Sequence, residues 1–497
     1  MNAHNHEASV TQLPSADRSR WIALVALCAG FLMIILDQTI VNVALPSIQN
    51  DLHFSQSSLA WVVNAYLIAF GGLLLLVGRL GDLIGRRRIF LSGLTLFTAA
   101  SVLCGLSDSQ GLLIAARFVQ GIGGAMTAAV ILGMIVTMFP KPHERAKAIS
   151  VYSFVASAGG ALGLLLGGVI TQEISWHWIF FVNVPIGIAT AFFAVRLLPD
   201  DRGIGLDRGA DAPGALLLVS ALMLAVYTIV EASHYAWGST RTIGFGTAAV
   251  ALLAGFIVRQ RTAANPLIPL RVFRSRTVTG ANLVQVLMVA GLFGMFFLGA
   301  LYMQRVLGYD AIQVGLAFLP VALGIAVMSL GFAARLMERF GPKQTLVPGL
   351  LLVAIGLVLL RSSPVHARYL PDLLPTMVLF GIGAGIAFPS LMTMAMSGAT
   401  AEDSGLASGL VNTTQQVGGA LGLAVLATLS ANRTGTLRHD GVSLASSLTS
   451  GFHLAFTVAA LLVTVAIGLA LTMPSTPATQ AQEAVALPEA IELEEAA

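Results

Sequence analysis

The chain has 497 residues, of which 56% are hydrophobic and 10% are charged. Soluble domains carry about 25% charged residues, so water alone could not solvate this surface and lipid must be the main solvent. A net charge of +3 gives no basis for a nucleic-acid partner, and two cysteines, Cys28 and Cys104, both in apolar runs, exclude a disulfide framework.

Residues 1–20 are polar, lack a signal-peptide pattern, and read as a cytoplasmic tail. Runs of roughly 17–25 apolar residues are then expected to span a bilayer as helices. Fourteen follow, at 21–45, 58–77, 89–107, 110–136, 147–170, 178–198, 211–230, 242–259, 279–302, 312–333, 344–361, 372–393, 405–429 and 451–473. The fold class expected is therefore an all-α membrane protein. Residues 474–497 end in Glu489, Glu492, Glu494 and Glu495 and read as a disordered tail. On this map 20 of the 27 basic residues fall on the side of the termini, which makes that side cytoplasmic.

The first span carries Asp37, the one acid clearly inside an apolar run, with Gln38 and Asn42 on the same side of the helix. A carboxylate at this depth costs about 2.5–3.5 kcal/mol on insertion scales, so it faces protein or a watery cavity and marks a functional site. Span two offers Asn64 and Tyr66. Span four holds Arg117, the one basic residue inside a span, and Gln120 one turn on. Arg117 and Asp37 are both expected about 10–14 Å below the outer surface, by 1.5 Å of rise per residue. They are therefore within reach of each other, either as a proton-coupling pair or as a structural lock. Span thirteen puts Asn412, Gln415 and Gln416 on one face, as cavity lining or as helix-to-helix ties.

Internal repetition divides the chain. The loop Gly78-Arg79-Leu80-Gly81-Asp82-Leu83-Ile84-Gly85-Arg86-Arg87-Arg88 resembles residues 334–344, with Gly85 matching Gly341 and Asp82 matching Glu338, an offset of 256 residues. Gly159 to Leu164 recurs letter for letter at Gly418 to Leu423, and Gly121-Ile122-Gly123 recurs at 381–383. Spans one to six thus match spans nine to fourteen, and two duplicated helical halves are the plan of many secondary transporters. The expected units are a first bundle over 21–200, two inserted helices over 201–265, and a second bundle over 266–473. The histidines lack metal-ligand spacing and there is no Walker loop or nucleophile elbow, so neither a metal, ATP nor an enzymatic activity is expected.

Several runs resemble the major facilitator superfamily, and within it the 14-span drug:proton antiporters of the QacA/EmrB type. They are Leu36 to Pro46, the loop 78–88, Arg117-Phe118-Val119-Gln120-Gly121, and Trp176 to Pro185. The span-five pattern Gly159, Gly163, Gly167, Gly168 resembles that group's antiporter motif, with Leu164 where the family has proline and His177 where it commonly has arginine. The resemblance implies a major facilitator fold of two six-helix halves plus two extra helices. It also implies efflux of amphipathic, cationic or aromatic drugs or dyes in exchange for protons, with Asp37 and Arg117 coupling the proton. Gln38, Asn42, Asn64, Tyr66, Gln120, Asn412, Gln415 and Gln416 would contact substrate. Gly78, Asp82, Gly85, Arg86 and Arg87, with the span-five glycines, would form the hinge and gate. No cofactor is expected beyond the proton gradient, and the setting is a bacterial inner membrane, with a monomer as the simplest assembly. The rival readings are a dedicated exporter of one metabolite or self-made antibiotic and, from another class, a transporter-like sensor.

Overall fold

The computed structural model describes residues 14–139, 142–198, 203, 211–235, 238–264, 266–267, 273, 275–396 and 404–474. The outermost tails, 1–13 and 475–497, lie outside these. The described residues form helices joined by short turns: α1 (Pro14–Asp51), α2 (Trp61–Ile84), α3 (Arg86–Gly105), α4 (Gln110–Met138), α5 (Pro142–Glu173), α6 (Trp178–Phe181), α7 (Asn183–Leu197), α8 (Ala212–Tyr235), α9 (Thr240–Thr262), α10 (Arg276–Arg305), α11 (Ala311–Val327), α12 (Ala333–Phe340), α13 (Pro342–Arg361), α14 (Leu374–Met396), α15 (Ser404–His439) and α16 (Leu444–Thr472). A π-helical turn over Met328–Phe332 joins α11 to α12.

Every apolar run expected to be helical falls on these elements, though 178–198 is shared between α6 and α7, and 312–333 runs from α11 through the π-helical turn to α12. Among the described residues eleven helices are long and apolar enough to cross a membrane, and two shorter apolar stretches lie at Leu162–Glu173 and Ala311–Val327. The remaining run falls on α15, where Ser, Thr, Asn and Gln dilute the apolar composition. Large apolar side chains such as Phe192, Phe193, Val250, Val258, Leu461 and Val465 stand exposed. On a water-soluble protein they would be a liability; against lipid they are the expected surface.

The two halves pack alike. In the first, α1 lies on α5 and α7, α2 on α4, and α3 on α4; in the second, α10 lies on α15 and α16, α11 on α14, and α13 on α14. Both matched loops turn on a glycine with positive φ, Gly85 at 107° and Gly341 at 86°, each ending one helix and starting the next. Side chains rarely adopt such a backbone, which explains the glycine at both sites. The likeness extends to the next turn. Arg87 donates to the Val195 carbonyl at the end of α7, and its counterpart Lys343 donates to Leu471 O at the end of α16, at 2.8 Å. Cations placed on last-turn carbonyls satisfy groups that have no helical partner and oppose the helix dipole.

Asp82 and Arg86 are joined within the first half. Arg86 donates to Asp82 Oδ1 (2.9 and 3.1 Å), to Gly133 O (3.0 Å) and to Thr137 Oγ1 (2.9 Å), fastening the loop to α4. Contacts between the halves gather at the opposite end of the bundle. Arg305 donates to Gln49 Oε1 and Asn50 Oδ1, both at 2.8 Å, Gln304 to Val43 O at 2.9 Å, and Gln56 to Ser430 Oγ at 3.2 Å.

The span-five glycines are packing surfaces. A Cβ on Gly159 would meet Ile35 and Leu32, one on Gly163 would overlap Thr39, and one on Gly167 would stand 2.7 Å from Ile40 O, so three of them seat α5 on α1. Gly168 instead faces α11, where a Cβ would stand 2.6 Å from Ala311 O, and a Cβ on Gly315 of α11 would meet Leu164 O. Leu164 therefore lies on the seam between the halves, in a helix that runs unbroken through it. Gly78 is looser, with Ala129 Cβ at 3.9 Å.

The inserted pair is tied in by α8, which packs against both α2 and α15. Gly72 abuts Val219, and Thr428 donates to Ile229 O at 3.2 Å. At its start, Asp211 accepts from Arg259 Nε (2.9 Å) and Gln260 Nε2 (2.9 Å) of α9 and from Gly214 N (3.0 Å). Burial pushes this carboxyl up, but those hydrogen bonds and the Arg259 charge outweigh it and hold Asp211 below its ordinary value of 3.8.

Two outcomes follow from this packing. Replacing Gly167 with valine forces α1 and α5 apart at a backbone contact, and overpacking of this kind costs about 1–3 kcal/mol. The detergent-solubilised variant should melt several degrees lower, and an unchanged Tm would show that the seam is looser than drawn. For Asp211, a depressed folded pKa means its contribution is present above the unfolded value and lost as pH falls through the folded one. The Tm penalty of Asp211→Asn should hold steady from neutral pH down to about 4 and shrink only below that; a penalty that already vanishes by pH 6 would contradict the ion pair.

Candidate functional site

The first half closes around one buried polar cluster. Asp37 of α1, Arg117 and Gln120 of α4, Ser101 of α3 and Asn183, the first residue of α7, are all fully or almost fully buried. Arg117 Nη1 lies 2.5 Å from Asp37 Oδ2. Gln120 Nε2 donates to Asp37 Oδ1 at 2.7 Å and to Ser101 Oγ at 2.8 Å, and its Oε1 accepts from Arg117 Nη1 at 2.6 Å. Asn183 Nδ2 completes the cluster, donating to Asp37 Oδ1 at 3.1 Å and reaching Ser101 Oγ at 3.4 Å. The carboxylate thus receives hydrogen bonds from a guanidinium and two amides.

Arg117 is held from other sides as well. Its Nε donates to Val62 O at 2.9 Å, and its guanidinium carbon lies 4.5 Å from the Tyr66 ring centroid and 5.6 Å from that of Phe180. The backbone allows this close assembly where it lacks side chains. A Cβ on Gly121 would stand 2.5 Å from Tyr66 O, and one on Gly124 would stand 2.8 Å from the Tyr66 hydroxyl. Removing one member of a buried ion pair leaves an uncompensated charge and typically costs 3–5 kcal/mol. Arg117 keeps one carbonyl, one amide oxygen and two ring faces independently of Asp37, so it stays partly compensated if Asp37 is neutralised.

The polar sector expected on α1 is divided by the structure. Asp37 turns into the bundle and does not line an exposed wall, whereas Gln38 and Asn42 remain half-buried. Gln38 Nε2 reaches the Tyr66 hydroxyl at 3.5 Å and so touches the cluster from outside. Asn42 bonds back to its own helix, at Gln38 O (3.2 Å) and Thr39 O (3.4 Å). Asn64 is fully buried with both amide atoms unpartnered.

The second-half amides lie apart from this cluster. Gln415 accepts from Gln285 Nε2 at 3.5 Å, and Asn412 is half-buried. Gln416 packs on Gly71 of α2, where an added Cβ would be 2.4 Å from Gln416 Cβ, and the neighbouring Thr413 donates to Gly71 O at 3.1 Å. Gln416 and Thr413 therefore stand on the seam between the halves. Sequence reasoning singled out Asp37, Arg117 and Gln120 but missed Ser101 and Asn183 as members of the cluster. Asn183 sits in the run Trp176 to Pro185, and an amide at the mouth of an apolar run was its available signal.

Comparison with known proteins agrees with this architecture. Residues 27–423 match the family model described as Major Facilitator Superfamily. The chain is 41% identical over 466 residues to the puromycin resistance protein pur8 of Streptomyces alboniger, covering 92% of each chain. It is 40% identical to the cephamycin export protein CmcT of Amycolatopsis lactamdurans, covering 86% of this chain and 88% of that one. It is 32% identical to the multidrug resistance protein Stp of Mycobacterium tuberculosis, covering 84% and 76%. Among solved structures, a bacterial homologue of the human lysosomal transporter Spinster, inward-facing and unoccupied, superposes with a TM-score of 0.66 at 17% identity, over 91% of this chain and 96% of that one. Matched over most of its length, the chain belongs to the major facilitator superfamily, as a multi-pass membrane transporter whose relatives include antibiotic resistance and export proteins.

Proposed function

We propose that this protein exports small amphipathic drugs or antibiotics, cationic or aromatic in character, in exchange for protons, as a 14-span antiporter of a bacterial inner membrane with both termini cytoplasmic. The observation that carries this reading is the Asp37–Arg117 pair, sealed among helices and held by two amides. Binding one proton to Asp37 cancels one charge of a buried pair, a large local change in a medium of low dielectric. Helices that fit one charge state then fit the other less well, and the halves can exchange one set of contacts for another. The membrane potential supplies about 2.3 kcal/mol per charge per 100 mV, with the pH difference in addition.

The cycle pictured is alternating access. In the conformer described, contacts at the Arg305 end hold the halves together, and the 78–88 loop is fastened within its own half. Drug enters from the cytoplasmic side between the halves, where Gln38, Asn42, Gln415 and Asn412 are partly exposed. Outside, protonation of Asp37 favours release and return. Replacement of Asp37 by asparagine should leave the protein expressed and folded yet reduce pH-driven efflux to background in inverted vesicles. Full drug resistance in cells carrying that variant would reject the assignment.

A dedicated antibiotic exporter fits the same cluster, because the coupling apparatus does not set the cargo. The relatives named for puromycin resistance and cephamycin export support this second reading, as the one named for multidrug resistance supports the first. Expression in a pump-deficient host, tested against a panel of unrelated dyes and antibiotics, separates them. Lowered susceptibility to several chemical classes is the expected result, and protection against one compound alone would establish the dedicated exporter.

A further inference from the structure

We propose that Asn183 is a positioning residue that follows the protonation state of Asp37, its amide donating to the carboxylate and turning over to accept from the acid. The inference rests on the proton-coupled reading above and gives that reading a moving part.

The argument is one of donors and acceptors. As arranged, Asp37 meets N–H groups alone: Arg117 Nη1 on Oδ2, and Gln120 Nε2 and Asn183 Nδ2 on Oδ1. That set suits a carboxylate, which only accepts. A proton arriving from water forms an O–H on the carboxyl, and this new donor needs an acceptor. Arg117 has none to give. Gln120 is committed at both ends, with Oε1 taken by Arg117 and approached by Cys104 Sγ at 3.6 Å, and Nε2 shared between Asp37 and Ser101. Turning it over would set its amine against the guanidinium. Ser101 donates to Phe97 O at 2.8 Å, so its hydrogen is also in use.

Asn183 differs from these three. Its Oδ1 is buried and has no hydrogen-bond partner. A half-turn about the last side-chain bond exchanges Nδ2 and Oδ1 and places the orphan acceptor at Asp37 Oδ1, where the proton would sit. Either orientation pairs one end of the amide with Asp37, and the turn gives up only the long 3.4 Å contact from Nδ2 to Ser101 Oγ. Gln120 can go on donating to the same oxygen and Arg117 to the other, so one amide rotation accommodates the proton without dismantling the cluster. The titratable groups that face the site are Arg117 from α4, Tyr66 from α2 and Cys104 from α3, while α6 contributes the Phe180 ring. Asn183 also opens α7, directly after the short α6 turn, so its rotation bears on the joint between these two helices.

The test is infrared difference spectroscopy on the full-length protein in liposomes, titrated with pH, with asparagine carrying 13C at the side-chain carbonyl. Wild type should show an isotope-sensitive asparagine carbonyl band that grows together with the carboxylic-acid band of Asp37. The asparagine band should vanish in Asn183→Ser, and both bands should vanish in Asp37→Asn. In Asn183→Leu, which can neither donate nor accept, proton-driven transport should fall about tenfold or more, the scale of one hydrogen bond to an ionised group. If that variant does not fold, the labelled wild-type spectrum decides alone. A carboxylic band with no accompanying asparagine band, or wild-type transport by Asn183→Leu, overturns the role of Asn183 and leaves proton coupling standing. Proton-driven transport by Asp37→Asn overturns the coupling reading itself.

Discussion

A charge in hydrocarbon must be paired or expelled, and that constraint organises the first half of this transporter. Asp37 and Arg117 are drawn from helices 80 residues apart in the chain and held at 2.5 Å. Each offsets much of the several kcal/mol of desolvation that the other ion carries. The remaining lone pairs and N–H groups must be satisfied too, which is why Gln120, Ser101, Asn183 and the Val62 carbonyl converge on the same point. One interaction therefore fixes the mutual orientation of α1, α2, α3, α4 and α7.

Around that fixed point the helices approach through small residues. Lipid tails are as apolar as leucine side chains, so burial alone does not drive helices together, and close backbone contact carries more of the association. The glycines of α5 against α1 and those of α4 against α2 and α3 serve this need, and α15 against α10 and α14 against α13 repeat it in the second half. Rigid halves of this kind can move as bodies. The seam between them shares such glycine contacts, Gly168 on Ala311 and Gly315 on Leu164, and adds scattered single hydrogen bonds such as Gln304 to Val43 and Thr413 to Gly71. Each is a modest hydrogen bond of about 0.5–1.5 kcal/mol net, which suits a surface that has to part.

Much of this was legible before any coordinates. Lipid as solvent, the apolar runs, the duplicated loops and the solitary pair of intramembrane charges follow from composition, length and repetition. What stayed hidden is the facing of each helix. In a soluble protein the apolar stripe points to the core, but a membrane helix is apolar all round and its pattern gives almost no direction. Pattern alone leaves Asp37 facing either protein or a watery cavity, on one side of α1 with Gln38 and Asn42; of the three only Asp37 is fully inside the bundle. Ser101 and Asn183 were overlooked for the same reason, since a lone serine or asparagine in an apolar run has no sequence mark of the partner it meets. The position of α8, wedged on both α2 and α15, was likewise beyond reach of a repeat analysis, because the inserted pair has no counterpart to be compared with.

The route from the buried pair to the seam runs along a single element. α1 carries Asp37 in its middle and, further along, the Val43 carbonyl that accepts from Gln304 and the Gln49 and Asn50 side chains that accept from Arg305. At 1.5 Å per residue these lie about 9 and 20 Å from Asp37 along the axis. Between Val43 and Gln49 stands Pro46, which has no N–H for the Asn42 carbonyl one turn back, so the helix is weakest between the charge cluster and the contacts to Arg305. A rotation of α1 provoked at Asp37 is resisted by α5, pressed glycine to backbone on its other side, and released most readily at Pro46. The far segment, 47–51, is then the part of α1 best placed to let go of α10 while the near part keeps its grip on Arg117. On the proton-coupled cycle proposed above, charge change in the centre and opening at the rim would be two ends of one lever, with the proline as its joint.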